Sequence, residues 1–303
     1  MIVADLSHQE LVRRLGGAGL RLRTGPVVNR IQSRLAKVVH GLALQYADCT
    51  IEDSEGFADF HVRVAPPRSL RRWLGPQVQF QFDGAGPFLP LPANQAFAML
   101  EWGLNWCVSS HCHQYLIVHA ASVERSGLAL LLPGPPGSGK STLCAGLVSR
   151  GWRLLSDELT LLDLATGHVV PLPRPVSLKN ASIDVIRRFS PAAEVGPPVH
   201  DTVKGSVAHM RPPTESVRRA TEAARPRWIV LPRYEPGAAA HLTPLSRARA
   251  FMHLADHAFN YDVHGRRGFE LLAQVIDSSD CFEFHYGALE DAVAVFDDVA
   301  RRA

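Results

Sequence analysis

The sequence predicts an α/β fold in which a phosphate-binding loop joins a buried strand to a helix, preceded by a small α+β unit. Three observations carry this expectation. Leu128-Ala129-Leu130-Leu131-Leu132 is short and apolar throughout, as strands covered on both faces are. Just beyond it, Gly134-Pro135-Pro136-Gly137-Ser138-Gly139-Lys140-Ser141-Thr142 fits the pattern G-x-x-x-x-G-K-[ST]. Leu143, Leu147 and Val148 then recur at helical spacing, and Arg150-Gly151 supplies a cationic last turn with a glycine stop.

That pattern has a chemical reason. Glycines let the backbone turn tightly enough for its amides to face phosphate oxygens. Lys140 adds a mobile point charge for the outer phosphates, and the Ser141 hydroxyl suits Mg²⁺. The expected ligand is a nucleoside triphosphate, ATP with GTP left open, together with Mg²⁺.

Composition narrows the class. The chain has 303 residues, 46% hydrophobic and 20% charged, as ordinary globular proteins do, and its length favours two domains. Its 32 basic and 29 acidic residues are interspersed, so neither a nucleic acid nor a membrane surface is an expected partner. No apolar stretch reaches the roughly 18 residues of a spanning helix, and the first residues carry no secretory pattern. Cys49, Cys107, Cys112, Cys144 and Cys281 are odd in number and irregular in spacing, which reads as reduced thiols in a cytoplasmic protein.

Along the chain, residues 5–15 and 30–45 read as helical, while Phe57–Val64 and Val78–Phe82 alternate as strands do. The proline-rich stretch Gly84–Pro92 reads as an extended connection, so residues 1–92 are expected to form the α+β unit and 93–303 the loop-bearing domain. Residues 94–110 form an amphipathic helix with Trp102 and Trp106 facing the core. Leu116–Ala120 is a strand, expected to hairpin into the loop strand through a turn at Glu124–Gly127. Trp152–Ser156 and Leu159–Leu164 are strands that bracket Asp157-Glu158. Residues 190–226, rich in Pro, Gly and Arg, read as a long mobile excursion. A strand at Trp228–Pro232, a helix over 246–259, a strand at Phe282–Tyr286 and a helix from 288 to 301 complete the expectation.

Two adjacent carboxylates beside a phosphate loop can divide two tasks: managing Mg²⁺ and accepting a proton from an attacking hydroxyl. The spacing extends this. His119 stands twenty-one residues before Lys140, and Asp157 seventeen after it. With Arg150-Gly151-Trp152-Arg153-Leu154-Leu155-Ser156-Asp157, this resembles the kinase domain of HPr kinase/phosphorylase, which shares its P-loop core with phosphoenolpyruvate carboxykinase. Pro173-Arg174-Pro175-Val176-Ser177-Leu178-Lys179-Asn180 is similar to the subfamily called HPr-kinase-related kinase A. The resemblance covers residues 94–180 strongly and the remainder more weakly.

The resemblance implies Asp157 as the base, Glu158 as the Mg²⁺-linked acid, and His119 beside the phosphates. It also implies a homo-oligomer and a peptide-modification setting with a peptide-binding chaperone of the PqqD type. Two departures stand out: the second acid is Glu where the family has Asp, and the family's Glu-Ile-Arg-Gly signature is absent. These detach the reverse phosphorylase reaction, and HPr itself as substrate, from what the resemblance implies.

Further cations are expected around an anionic ligand. Arg174, Lys179, Lys204 and Arg211 lie in proline-rich segments, with Lys179 and Lys204 the better candidates and Arg266-Arg267 weaker ones. His111-Cys112-His113 reads as a helix end, since adjacent ligands converge poorly on one ion. The expected function is ATP-dependent, Mg²⁺-requiring transfer of a γ-phosphoryl group to a hydroxyl, with serine of a protein or peptide foremost. A small-molecule kinase and a nucleotide-binding regulatory switch are the alternatives. A peptide acceptor predicts a groove lined from residues 174–211, a metabolite a small closed pocket.

Overall fold

The chain opens on a short amphipathic helix whose apolar side starts the first core. In α1 (His8–Gly16) the Ser7 hydroxyl accepts from the Glu10 amide, and Leu11 and Leu15, one turn apart, are buried. The computed structural model describes residues 1–52, 55–67 and 75–303. β1 (Leu20–Thr24) and β2 (Val27–Ser33) pair antiparallel. α2 (Ala36–Gln45) lies in the crossover that lets β3 (Phe60–Ala65) run parallel to β2. β4 (Gln77–Phe82) and β5 (Leu91–Pro92) complete a sheet of order β1-β2-β3-β4-β5. β3 turns Phe60, Val62 and Val64 inward and His61 and Arg63 outward. α3 (Ala96–His111) buries Leu100, Leu104, Cys107 and Val108 in the same core. Gly103 brings α3 so close to β4 that a Cβ there would lie 2.1 Å from the Phe80 ring.

β6 (Tyr115–Val118) and β7 (Ala120–Arg125) follow, separated by His119. β7 turns back through Ser126 and Gly127, at φ 54° and 81°, into β8 (Leu128–Pro133). The glycine-rich loop leads to α4 (Lys140–Val148). β9 (Arg153–Ser156) and β10 (Thr160–Asp163) flank the bend at Asp157-Glu158. β11 (Val169–Val170), β12 (Val176–Lys179) and α5 (Ala181–Phe189) precede a hairpin of β13 (Val199–Thr202) and β14 (Gly205–Met210). α6 (Thr214–Arg218) leads into β15 (Arg225–Tyr234) and β16 (His241–Pro244). α7 (Arg247–Asp256), α8 (Tyr261–Asp277), β17 (Asp280–Tyr286) and α9 (Leu289–Arg301) end the chain.

This part is a mixed α/β assembly built on a six-stranded sheet of order β16-β17-β15-β8-β7-β9. β17, β15 and β8 are parallel, with antiparallel strands at both margins. Smaller sheets, β11-β10-β6 and β12-β14-β13, flank it. Alternate residues of β8 feed opposite cores: Leu130 and Leu132 meet Leu143, Leu147 and Phe284, whereas Ala129 and Leu131 meet Leu254, Leu272 and Ile276. Both faces are covered, which is why β8 carries no polar residue. Among the described residues no helix is long and apolar enough to cross a membrane.

Several expectations need correction. Residues 30–33 belong to β2 rather than to a helix, because Ile31 and Ser33 are buried on one side of the strand. Leu116–Ala120 is not one strand: His119 breaks it, β6 pairs with β10, and β7 makes the hairpin. Residues 190–226 are not a plain excursion, since β14 pairs with both β12 and β13. Trp106 packs against the first core as expected, but Trp102 lines a small cavity beside Asp157 and Glu158. β1, α5 and α8 were not foreseen; Gly265, at φ 50°, breaks α8 and interrupts its period.

A buried ion pair locks the hairpin to the sheet edge. Glu124 pairs with Arg153, their side chains 3% and 5% exposed, and Arg153 also donates to the Arg219 and Glu222 carbonyls at 2.8 and 2.9 Å. Removing one partner strands the other charge. Glu124→Ala is expected to lower the unfolding free energy by about 3–5 kcal/mol, measured by urea titration.

Candidate functional site

The glycine-rich loop leaves the carboxyl end of β8, beside the carboxyl ends of the parallel strands β15 and β17. Gly137 and Gly139 hold φ of 87° and 95°. Gly139 is also crowded: a Cβ there would lie 2.4 Å from the Tyr286 Oη, which donates to the Gly139 carbonyl at 3.1 Å. The Tyr234 amide donates to the Ser138 carbonyl at 3.3 Å. The last residues of β15 and β17 therefore clamp the loop. Gly139 caps α4 without a side-chain acceptor, so the first amides of the helix face outward at its positive end. Lys140 is 7% exposed, and its Nζ donates to the Gly134 and Pro135 carbonyls at 2.6 and 3.0 Å. Burial lowers its pKa, partly countered by Asp157 and Glu158.

Asp157 is buried and Glu158 half-buried, and they meet different partners. Asp157 Oδ2 accepts from the Ser177 amide at 2.9 Å, while Oδ1 has no hydrogen-bond partner among the described residues. Burial pushes the Asp157 pKa up to about 6, with the Glu158 charge adding to it; the Ser177 amide and the neighbouring Ser141 hydroxyl pull the other way. Glu158 Oε2 accepts from Asn105 Nδ2 at 2.5 Å, and Oε1 lies 3.4 Å from Lys179 Nζ. Burial alone would raise the Glu158 pKa, but Lys179, Lys204 and His119 hold it below the usual carboxylate range.

His119 sits where the chain passes from β6 to β7, its amide donating to the His257 carbonyl at 2.7 Å. Its ring stands 6.4 Å from that of His257 and 5.7 Å from Phe259. Burial, then the Lys140 charge, lowers its pKa to about 4, so the imidazole is neutral at physiological pH.

A cleft of about 750 Å³ gathers these groups. His119, Lys140, Ser141, Thr142, Glu158 and Lys179 line it, with Gly137 and Gly139 of the loop. Ser177, Arg188, Phe189, Tyr234, Tyr286 and Glu290 extend it. Such a volume is in the range that takes a nucleotide-sized ligand. Behind Asp157 lies a separate cavity of about 20 Å³, walled by Trp102, Asn105, Arg174 and Ser177 among others.

The remaining cation candidates divide. Lys204 stands 5.1 Å over the Trp102 ring and acts on the Glu158 charge. Arg174 is not a phosphate contact: it is 6% exposed and paired with Glu101 at 2.8 Å. Arg211 pairs with Asp48 and Glu194, and Arg266, 91% exposed, with Glu270 on α8, so neither faces the cleft. His111 ends α3 and stacks on Phe82 with ring centroids 4.8 Å apart. Asn105, Ser177, Tyr234 and Tyr286 escaped sequence reasoning as site residues. One signal for Asn105 was present: Glu101 and Asn105, one turn apart, form a polar stripe on a largely apolar helix.

No protein-family model matches the chain, and no curated protein matches it. The donor atoms therefore carry the chemistry. Mg²⁺ takes oxygen ligands and commonly uses one or two carboxylates together with phosphate oxygens and water. The Ser141 hydroxyl, the unpartnered Asp157 Oδ1 and the Glu158 carboxylate fit that demand. Groups of three or more His, Cys, Asp or Glu, as in an all-protein metal cage, are not found among the described residues.

Two outcomes follow from this geometry. Gly139→Ala meets both a positive φ and the Tyr286 hydroxyl, whereas Gly137→Ala, with open space around it, bears backbone strain of about 1–2 kcal/mol alone. Chemical denaturation is expected to show the larger loss for Gly139→Ala. An acid whose folded pKa is raised costs stability above that pKa, and the cost disappears below the unfolded value. Asp157→Asn is thus expected to raise the melting temperature above pH 6, with the gain fading as pH falls toward 4. Thermal melts of the ligand-free protein across that range check the sign.

Proposed function

We propose that the chain is an ATP-dependent, Mg²⁺-requiring kinase with a P-loop core of the HPr kinase/phosphoenolpyruvate carboxykinase type. The observation that carries this reading is one cleft lined by the α4 amino terminus, Lys140, Ser141, His119, Glu158 and Ser177, whose amide holds the adjoining Asp157. Loop amides and Lys140 would hold the β- and γ-phosphates of ATP. Ser141 and Glu158 would hold Mg²⁺, which when bound neutralises charge on the phosphate oxygens. Neutral His119 lines the same cleft and can donate or accept one hydrogen bond beside the γ-phosphate without adding charge.

In the transfer, an acceptor oxygen bonds to the γ-phosphorus as the bond to the ADP oxygen breaks. The acceptor's proton passes to Asp157, and ADP departs. A carboxylate with a pKa near 6 suits that task better than an ordinary aspartate. A regulatory switch has no need of such a base. The acceptor is read as a hydroxyl of a protein or peptide. Supporting this, Ser177, Lys179, Ser182, Val185, Arg188 and Phe189 line one side of the cleft, which covers the first part of the 174–211 stretch expected to line a peptide groove, while residues 190–211 stay outside it. The tip of the β13–β14 hairpin also exposes Val203, at 86%, next to Lys204.

The test uses γ-labelled ATP, Mg²⁺ and a lysate of the source cells, with Lys140→Ala as control. Label on one macromolecule, absent with the variant, is expected; a labelled metabolite or free phosphate alone overturns the acceptor class. With that acceptor in hand, Asp157→Asn is expected to slow transfer by about 10²–10⁴-fold while leaving nucleotide affinity intact. Calorimetry beside the transfer assay separates the two effects.

A further inference from the structure

Glu158 is held from a direction that the phosphate-loop chemistry does not require. Its Oε2 accepts from Asn105 Nδ2 at 2.5 Å, and Asn105 lies on α3, fifty-three residues earlier. Asn105 Oδ1 in turn accepts from Arg174 Nη1 at 2.6 Å. Arg174 Nη2 donates to the Glu101 carboxylate at 2.8 Å and to the Glu101 carbonyl at 3.0 Å. Its Nε reaches Tyr46 Oη at 3.3 Å, and that hydroxyl donates to Glu101 Oε1 at 2.7 Å. Tyr46, Glu101 and Arg174 are 1%, 4% and 6% exposed, so the chain of bonds is shielded from water.

We propose that Asn105 is a positioning residue for Glu158, oriented by the buried Tyr46–Glu101–Arg174 cluster. The inference rests on the kinase reading of Glu158. A side-chain amide has two orientations, and a guanidinium offers donors alone. Arg174 therefore takes the amide oxygen, which leaves the amide nitrogen for Glu158. The carboxylate is gripped from both sides, Asn105 on Oε2 and Lys179 on Oε1. Glutamate has one more rotatable bond than aspartate, so an acid of this length needs more restraint to present one oxygen reproducibly. The same chain of bonds ties α2 and α3 to the site. Tyr46 ends α2, Glu101 and Asn105 ride on α3, and both helices pack in the first core.

A purely structural role would bolt α3 to the segment around Arg174 and no more. Replacing Asn105 separates the two, because the Tyr46, Glu101 and Arg174 bonds do not pass through it. The experiment measures ADP affinity by calorimetry, in EDTA and in Mg²⁺, for the full chain and for Asn105→Leu and Asn105→Asp. Both variants are expected to keep the EDTA affinity and to lose about 10- to 100-fold of the gain that Mg²⁺ brings, as for other groups that orient a metal ligand. Asn105 is half-buried, and Asn105→Ser takes the place of either variant that fails to fold. An undiminished Mg²⁺ gain in the variants overturns the inference alone. So does a gain kept in Asn105→Asp and lost in Asn105→Leu, which would make the Arg174 acceptor the working group. A wild-type chain that binds ADP without any Mg²⁺ gain overturns the metal role of Glu158 and this inference together.

Discussion

Two carboxylates on neighbouring residues repel each other, and burial deprives both of the water that stabilises an anion. Asp157, buried, and Glu158, half-buried, stand close to that situation at the bend between β9 and β10, and the surrounding structure answers it. Their side chains diverge: Asp157 turns to the Ser177 amide on β12, Glu158 to Asn105 on α3 and to Lys179. The pair then shares its charge unequally, one pKa raised and the other lowered. Removing any one of these partners would leave its carboxylate less fully compensated. Segments from three parts of the chain must therefore meet at this point.

The field in the cleft follows from the same arrangement. Lys140, Lys179 and Lys204 gather around two carboxylates of which one readily holds a proton, and His119 stays neutral. The local balance is positive and enclosed by low-dielectric walls, which favours a multiply charged anion. The outward amides of α4 add to it.

Legibility in the sequence tracked the range of the interaction. The loop and α4 were readable because their signals are local, positive-φ glycines and then an apolar helical stripe, although the clamp from Tyr234 and Tyr286 was not. The β7–β8 hairpin was readable because Ser126-Gly127 supplies the turn it needs. β2 was missed because the buried Asn29 and Ser33 share a face with Val27 and Ile31, where alternation would show apolar residues. The role of Arg174 was hidden for another reason. Its partners Tyr46, Glu101 and Asn105 lie 128, 73 and 69 residues away, and no local pattern distinguishes a buried arginine from a solvated one. Asp157 and Glu158 were found as a pair, but their division of partners exists in three dimensions alone.

The clamp on the glycine-rich loop has a consequence for biosynthesis. Tyr234 and Tyr286, which hold Ser138 and Gly139, are synthesised roughly one hundred and one hundred and fifty residues after the loop. During translation β8 can pair with β7 at once, but its other edge waits for β15, and the loop for the end of β17. A nascent chain that has reached α5 therefore carries an apolar strand with one open edge, the kind of surface that recruits other strands. The clamp on the loop closes only after Tyr286 has left the ribosome, and a product truncated before β15 keeps that open edge and is an aggregation hazard.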